Sequence, residues 1–182
     1  MYNVIVDKLP LEFEGQKLKA GFKQVLKFFA LQIDEDLSKN EKAIIALYCF
    51  FKTPVFTQET IDFISWFING GEIPKEIEKD NSPACFDWNK DINYIYAAFM
   101  QVYKIDLTTV NLHWWKFLAL YKGLPVGTKI SDIIQIRATP IPILTKGNKE
   151  YVSNLTKLKK YYALETEIKK VGMQLENIFG AK

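Results

Sequence analysis

Between Phe86 and Leu120 the apolar positions fall into two consecutive helical patterns. In the first, Ile92, Ile95, Tyr96, Phe99, Met100 and Tyr103 recur at steps of three and four, which places them on one side of a 3.6-residue helix. Asp87 or Asn89 caps its start. The second opens after Thr108, Thr109 and Asn111, repeats the pattern with Leu112, Trp115 and Leu118 or Ala119, and ends where Gly123 offers a left-handed conformation ahead of Leu124 and Pro125. The connection from Lys104 to Leu107 is short, so the two helices are expected to pack as an antiparallel hairpin with their aromatic faces buried against each other.

Earlier in the chain, Asn3 to Val6, Leu11 to Phe13 and Gln16 to Leu18 predict short strands, the last two joined by a turn at Glu14 and Gly15. Phe22, Val25, Leu26, Phe29 and Ile33 predict a helix with Lys19, Lys23 and Lys27 on its other side. Ser38 and Glu41 have the spacing of a capping box before the apolar run Ala43 to Phe51, which Thr53 and Pro54 end. Thr57 caps a third helix, where Ile61, Ile64 and Ile68 interleave with Phe63, Trp66 and Phe67 before Gly70 and Gly71. Apolar on nearly all sides, it reads first as a core helix and second as one that meets a partner. Glu72 to Pro83 mixes charges with two prolines and predicts an exposed linker.

Beyond the aromatic stretch, Thr128 to Arg137 predicts a short helix on Ile130, Ile133, Ile134 and Ile136, and Pro140 and Pro142 force an extended turn. From Asn148 to Phe179 apolar residues recur at steps of three and four without a proline. The pattern predicts one long amphipathic helix with a coiled-coil-like seam, interrupted only by Gly172 at a cost near 1 kcal/mol. The expected fold is therefore mainly α: a helical bundle with a small N-terminal β-hairpin or short sheet and a long C-terminal amphipathic helix. Its expected parts are 1–71, hairpin plus helices; 72–85, linker; 86–146, aromatic helical hairpin plus short helix; and 147–182, C-terminal helix, all within one globular domain.

Composition supports a folded core. The 182 residues are 48% hydrophobic and 14% aromatic, which excludes wholesale disorder, and the net charge of +3 is too mild for bulk attraction to nucleic acid or acidic membranes. No basic start followed by an apolar segment marks an export signal, and the longest apolar run falls far short of the about 20 residues that cross a bilayer. Cys49 and Cys85 lie outside any CxxC spacing, and Cys49 sits inside an apolar run, as a buried thiol of a reducing compartment does.

The chemistry-bearing residues are few. One histidine and two separated cysteines make no zinc site, and no phosphate loop, dinucleotide fingerprint, nucleophile elbow or HExxH is present. His113 with Cys49 or Cys85 would be a base and nucleophile without a local signature; next to Trp114 and Trp115 at a helix start, a capping or packing hydrogen bond is the expected role. The acidic residues mostly neighbour lysines, the pattern of a solvated face. The residues thus point away from an enzyme, a metal or a cofactor. Lys157, Lys159 and Lys160 beside Tyr161 and Tyr162 supply raw material for nucleic-acid binding, but the tyrosines share helical positions with the leucines and Glu165 and Glu167 dilute the field.

The residues FDW at Phe86 to Trp88, NYIYAAF at Asn93 to Phe99, YKIDL at Tyr103 to Leu107, LHWWKF at Leu112 to Phe117, ALYKGL at Ala119 to Leu124, Ile136 with Arg137, and YAL at Tyr162 to Leu164 together resemble the bacteriophage Gp fifteen family. The resemblance is looser at the N-terminus and stops after about Leu164. It implies a tail assembly chaperone of siphophage-type particles, encoded near the tape measure protein, which it would coat before the tail tube polymerises. The partners so implied are the tape measure protein, a companion tail chaperone and further copies of the chain, in the cytoplasm of the bacterial host and outside the mature virion. The rival reading is a structural completion or connector subunit that stays in the particle; a third is a host-modulating protein sharing the fold. The candidate gripping surfaces are the stripe Leu164, Ile168, Val171, Leu175 and Ile178 and, second, Phe63, Trp66 and Phe67. Tyr96, His113, Trp114 and Trp115 are assigned to the fold.

Overall fold

The computed structural model describes residues 3–72, 84–143 and 145–164. It is mainly helical, with one two-stranded antiparallel sheet among the described residues. The elements are β1 (Glu12–Phe13), β2 (Gln16–Lys17), α1 (Phe22–Gln32), α2 (Lys39–Phe50), α3 (Gln58–Ile68), α4 (Trp88–Tyr103), α5 (Trp114–Lys122), α6 (Lys129–Ala138) and α7 (Lys149–Tyr161). They form two compact units: the first comprises residues 3–72 and 109–122, the second residues 84–108, 123–143 and 145–164.

In the first unit the expected hairpin is present, with Glu14 at φ 48° and Gly15 at φ 73° between Phe13 and its partner Gln16. Both central residues lie in the left-handed region, as a two-residue turn matched to strand twist requires. The expected strand at Asn3 to Val6 is instead a turn. Asn3 accepts the N–H groups of Ile5 and Val6 on its side chain at 3.0 and 3.3 Å, a local bond that overrides the β-branched propensity. α1 and α2 pack in opposite directions. The Lys19 amide donates to the Phe50 carbonyl at one end (2.7 Å), and Lys42 Nζ donates to the Gln32 carbonyl at the other (3.1 Å).

The capping box at Ser38 and Glu41 closes as the spacing predicts, and Thr57 caps α3 through the Thr60 amide. The core is aromatic: Phe28, Phe50, Phe67 and Phe117 are fully buried, and Phe22 stacks on Phe117 at 4.8 Å. Each such side chain contributes about 1.5–3 kcal/mol of transfer free energy.

In the second unit Asp87 caps α4 by accepting from Asn89 and Lys90 at 2.9 and 2.7 Å. The buried face of α4 is Asp91, Ile95, Ala98 and Phe99, so Met100, expected inside, lies at its margin, 39% exposed. Thr128 caps α6, which packs on both α4 and α7. Two expectations change here. α4 and α5 fall in different units, α4 packing on α6 and α5 on α1, so the anticipated aromatic hairpin is not the unit of packing. The anticipated helix from Asn148 to Phe179 closes at Tyr161, where the Tyr162 amide turns back to the Leu158 and Lys160 carbonyls. The C-terminal remainder of that helix, and residues 73–83 of the expected linker, lie outside the described residues.

Candidate functional site

Three arrangements carry the polar and apolar features that a function can use. The first surrounds His113. Its Nδ1 receives the Trp115 amide at 3.1 Å and its Nε2 faces the Pro10 carbonyl at 3.1 Å. An amide only donates and a carbonyl only accepts, so the ring is the neutral tautomer with its proton on Nε2. Burial pushes its pKa below the ordinary value, opposed by the Pro10 hydrogen bond and aided by the Lys116 charge. Both nitrogens are thus committed to backbone. This is the expected capping role, and it leaves no lone pair to activate a thiol.

Trp114 and Trp115 complete this arrangement. Their indole N–H groups donate to the last carbonyls of α3, Trp114 to Ile68 at 2.8 Å and Trp115 to Phe67 at 2.7 Å. The Phe67 carbonyl also takes the Gly70 amide at 3.1 Å, so the indoles add to the closing turn of α3 while filling the core. The close approach depends on Gly71, at φ 85°, where an added Cβ would lie 2.8 Å from the Trp115 ring.

The second arrangement is a buried ion pair. Arg137 of α6 contacts Asp91 of α4 through both terminal nitrogens, and also donates to the Tyr162 carbonyl through Nε (2.7 Å) and to the Cys85 carbonyl (3.2 Å). Asp91 further accepts the Asp87 amide at 3.0 Å. Lys159 of α7 then donates to three carbonyls at the end of α6, those of Ile136, Arg137 and Thr139. Cations at a helix C-terminus offset its partial negative charge. The network ties the segment before α4, both packed helices and the end of α7 to one point. Pattern reading missed it, although Arg137 is the chain's single arginine among its 24 basic residues and falls on the inward side of α6 after Ile130 and Ile133.

The third arrangement is an apolar row on the outside of α2: Ile44, Ile45 and Tyr48. The all-apolar run Ala43 to Phe51 was the signal for it, since a helix with one buried face cannot bury every residue of such a run.

The anticipated gripping residues are placed differently from one another. Phe67 is fully buried, Phe63 stacks on Phe13 at 4.2 Å, and Trp66 meets Trp115 edge-on at 5.0 Å. Phe67 is therefore core and not available to a partner in this fold, while Phe63 and Trp66 are half-buried. Leu164, also half-buried, follows the end of α7, and Ile168, Val171, Leu175 and Ile178 lie outside the described residues. Tyr96 is half-buried on α4. Cys49 is half-buried too, and burial raises its thiol pKa against the pull of the Lys19 and Lys27 charges. Among the described residues no group of His, Cys, Asp or Glu side chains is placed to hold a metal ion, and no helix is long and apolar enough to cross a membrane.

No curated protein and no solved structure matches the chain. The family model described as Bacteriophage Gp15 protein matches residues 5–164. That span contains every described element and ends at the YAL segment, whose Tyr162 carbonyl receives Arg137. With most of its length covered, the chain belongs to the bacteriophage Gp15 protein family.

Proposed function

We propose that this protein is a non-enzymatic tail assembly chaperone, which binds the tape measure protein in the host cytoplasm, keeps it soluble until the tail tube polymerises, and is left out of the virion. Membership of a bacteriophage family over residues 5–164 carries the reading. A tape measure is a very long helical chain with apolar stripes, and such stripes aggregate unless a partner covers them and can later be displaced. Many copies bound weakly along one long chain supply both properties, because strength accumulates through multivalency while each contact remains reversible. The chain offers polar groups committed to structure and apolar residues directed outward, which suits holding better than chemistry.

Co-expression with the long helical protein encoded nearby tests the reading. Rescue of that protein's solubility, with many copies recovered per partner through a tag on this chain, is the expected result. Aggregation with nothing co-purifying, also when a companion chain is supplied, removes it. Stoichiometric amounts of the chain in purified virions, measured by mass spectrometry, would instead identify a structural completion or connector subunit.

A further inference from the structure

We infer that the outward face of α2 docks an amphipathic helix of another protein whose apolar stripe is flanked by carboxylates. The inference rests on the holdase reading only for the identity of that partner. Ile44, Ile45 and Tyr48 are 52%, 39% and 52% exposed, and at spacings of one, three and four residues they form a continuous apolar row. The opposite side of the same helix, Ala43, Ala46, Leu47 and Phe50, is already buried. A row on the side of α2 away from the core is a surface at which a second helix can bury apolar area.

The charge around the row selects the occupant. Lys19 reaches its C-terminal end, where Nζ donates to the Tyr48 carbonyl at 2.7 Å, and the Lys19 and Lys27 charges both act on neighbouring Cys49. Glu41, at the other end, is held as a carboxylate by the Ser38 amide and hydroxyl, so the basic end of the row is the C-terminal one. A helix laid along α2 therefore meets an apolar centre with two lysines at its C-terminal end, so glutamates or aspartates beside that part of its stripe gain and lysines lose. A second copy seated by twofold symmetry would instead bring these lysines to both margins of one interface.

The test uses the full chain and two synthetic peptides of about 20 residues, long enough to form a helix when stapled. Both carry leucines at every third or fourth position, one flanked by glutamates and the other by lysines. Fluorescence anisotropy is expected to show the glutamate peptide binding at least about tenfold more tightly than the lysine peptide. The Ile44→Ser/Tyr48→Ser double variant, with an unchanged thermal melt, is expected to lose about tenfold or more, and Lys27→Glu to narrow the preference. Equal binding to the double variant, no binding of the glutamate peptide to the wild type, or a wild-type dimer in sedimentation that the double variant dissociates would each overturn the inference. Co-expression separates it from the function proposed above. A wild type that binds the peptide but captures no long helical partner sinks the holdase reading alone; capture undiminished in the double variant sinks the α2 surface alone.

Discussion

Arg137 grips Asp91 with two parallel hydrogen bonds of 2.6 and 2.9 Å, at a point where the two side chains retain 6% and 0% of their exposure. Desolvating such charges is expensive, and the cost is met only because nearly every donor of the guanidinium and both carboxylate oxygens have partners. The pair is a specification of which helices meet, more than a source of net stability.

Removing one member should therefore be far worse than removing both. Arg137→Met is expected to destabilise the protein by about 3–5 kcal/mol, because it strands the Asp91 carboxylate in the interior, whereas Asp91→Leu with Arg137→Met should recover most of that loss. Urea unfolding of the two variants measures the difference. A double variant as unstable as the single one would contradict this account.

His113, the chain's single histidine, should make stability depend on pH near neutrality. Burial lowers its folded pKa below the ordinary value of 6.5, so the unfolded chain binds the proton more readily. Its contribution is thus fully present above about pH 6.5 and is lost as pH falls below that value toward the folded pKa. Protonation would place an N–H at Nδ1 against the Trp115 amide. Thermal melts between pH 7.5 and 5.5 are expected to fall for the wild type and to stay level for His113→Asn, whose side chain can still cap α5.

The seat of Trp115 should be sensitive from both sides. Trp115→Ala removes a 3%-exposed indole and its hydrogen bond to Phe67, at an expected cost of about 3–5 kcal/mol. Gly71→Ala imposes a left-handed conformation on alanine and a clash with the same ring, at about 2 kcal/mol or more. Chemical denaturation reads both; an unchanged midpoint for either would mean that the ring is not held as described.

Lys104 closes α4 at φ 57°, in the region that glycine adopts most easily. Lys104→Gly is expected to stabilise the protein by about 0.5–1 kcal/mol, the left-handed strain outweighing the extra freedom of the unfolded glycine. A calorimetric melt would show a higher midpoint.

The features legible in the sequence share one property: each is decided within about four residues. The capping box of Ser38 and Glu41, the cap Thr57 and the turn at Glu14 and Gly15 all form where the pattern places them, and of the two expected caps of α4, Asp87 and Asn89, Asp87 is the one that forms. Apart from the local turn at Asn3 to Val6, the readings that changed concern which segments meet. Asp91 and Arg137 lie 46 positions apart and interrupt apolar patterns that otherwise looked complete without them. The α7 pattern continued through Tyr162 on periodicity alone, but the Tyr162 carbonyl is drawn to Arg137 and the helix ends there.

By itself, then, the sequence determined the helical class, most element boundaries and the family, because local hydrogen bonds, apolar spacing and short motifs encode them directly. Only the tertiary structure decided that α4 pairs with α6 while α5 pairs with α1, that Phe67 is core, and that α2 keeps an apolar face outward. The physical reason is that burial belongs to pairs of surfaces. An apolar face is written in one helix, but its partner is chosen by where distant charges and indole N–H groups find the acceptors that let them be buried.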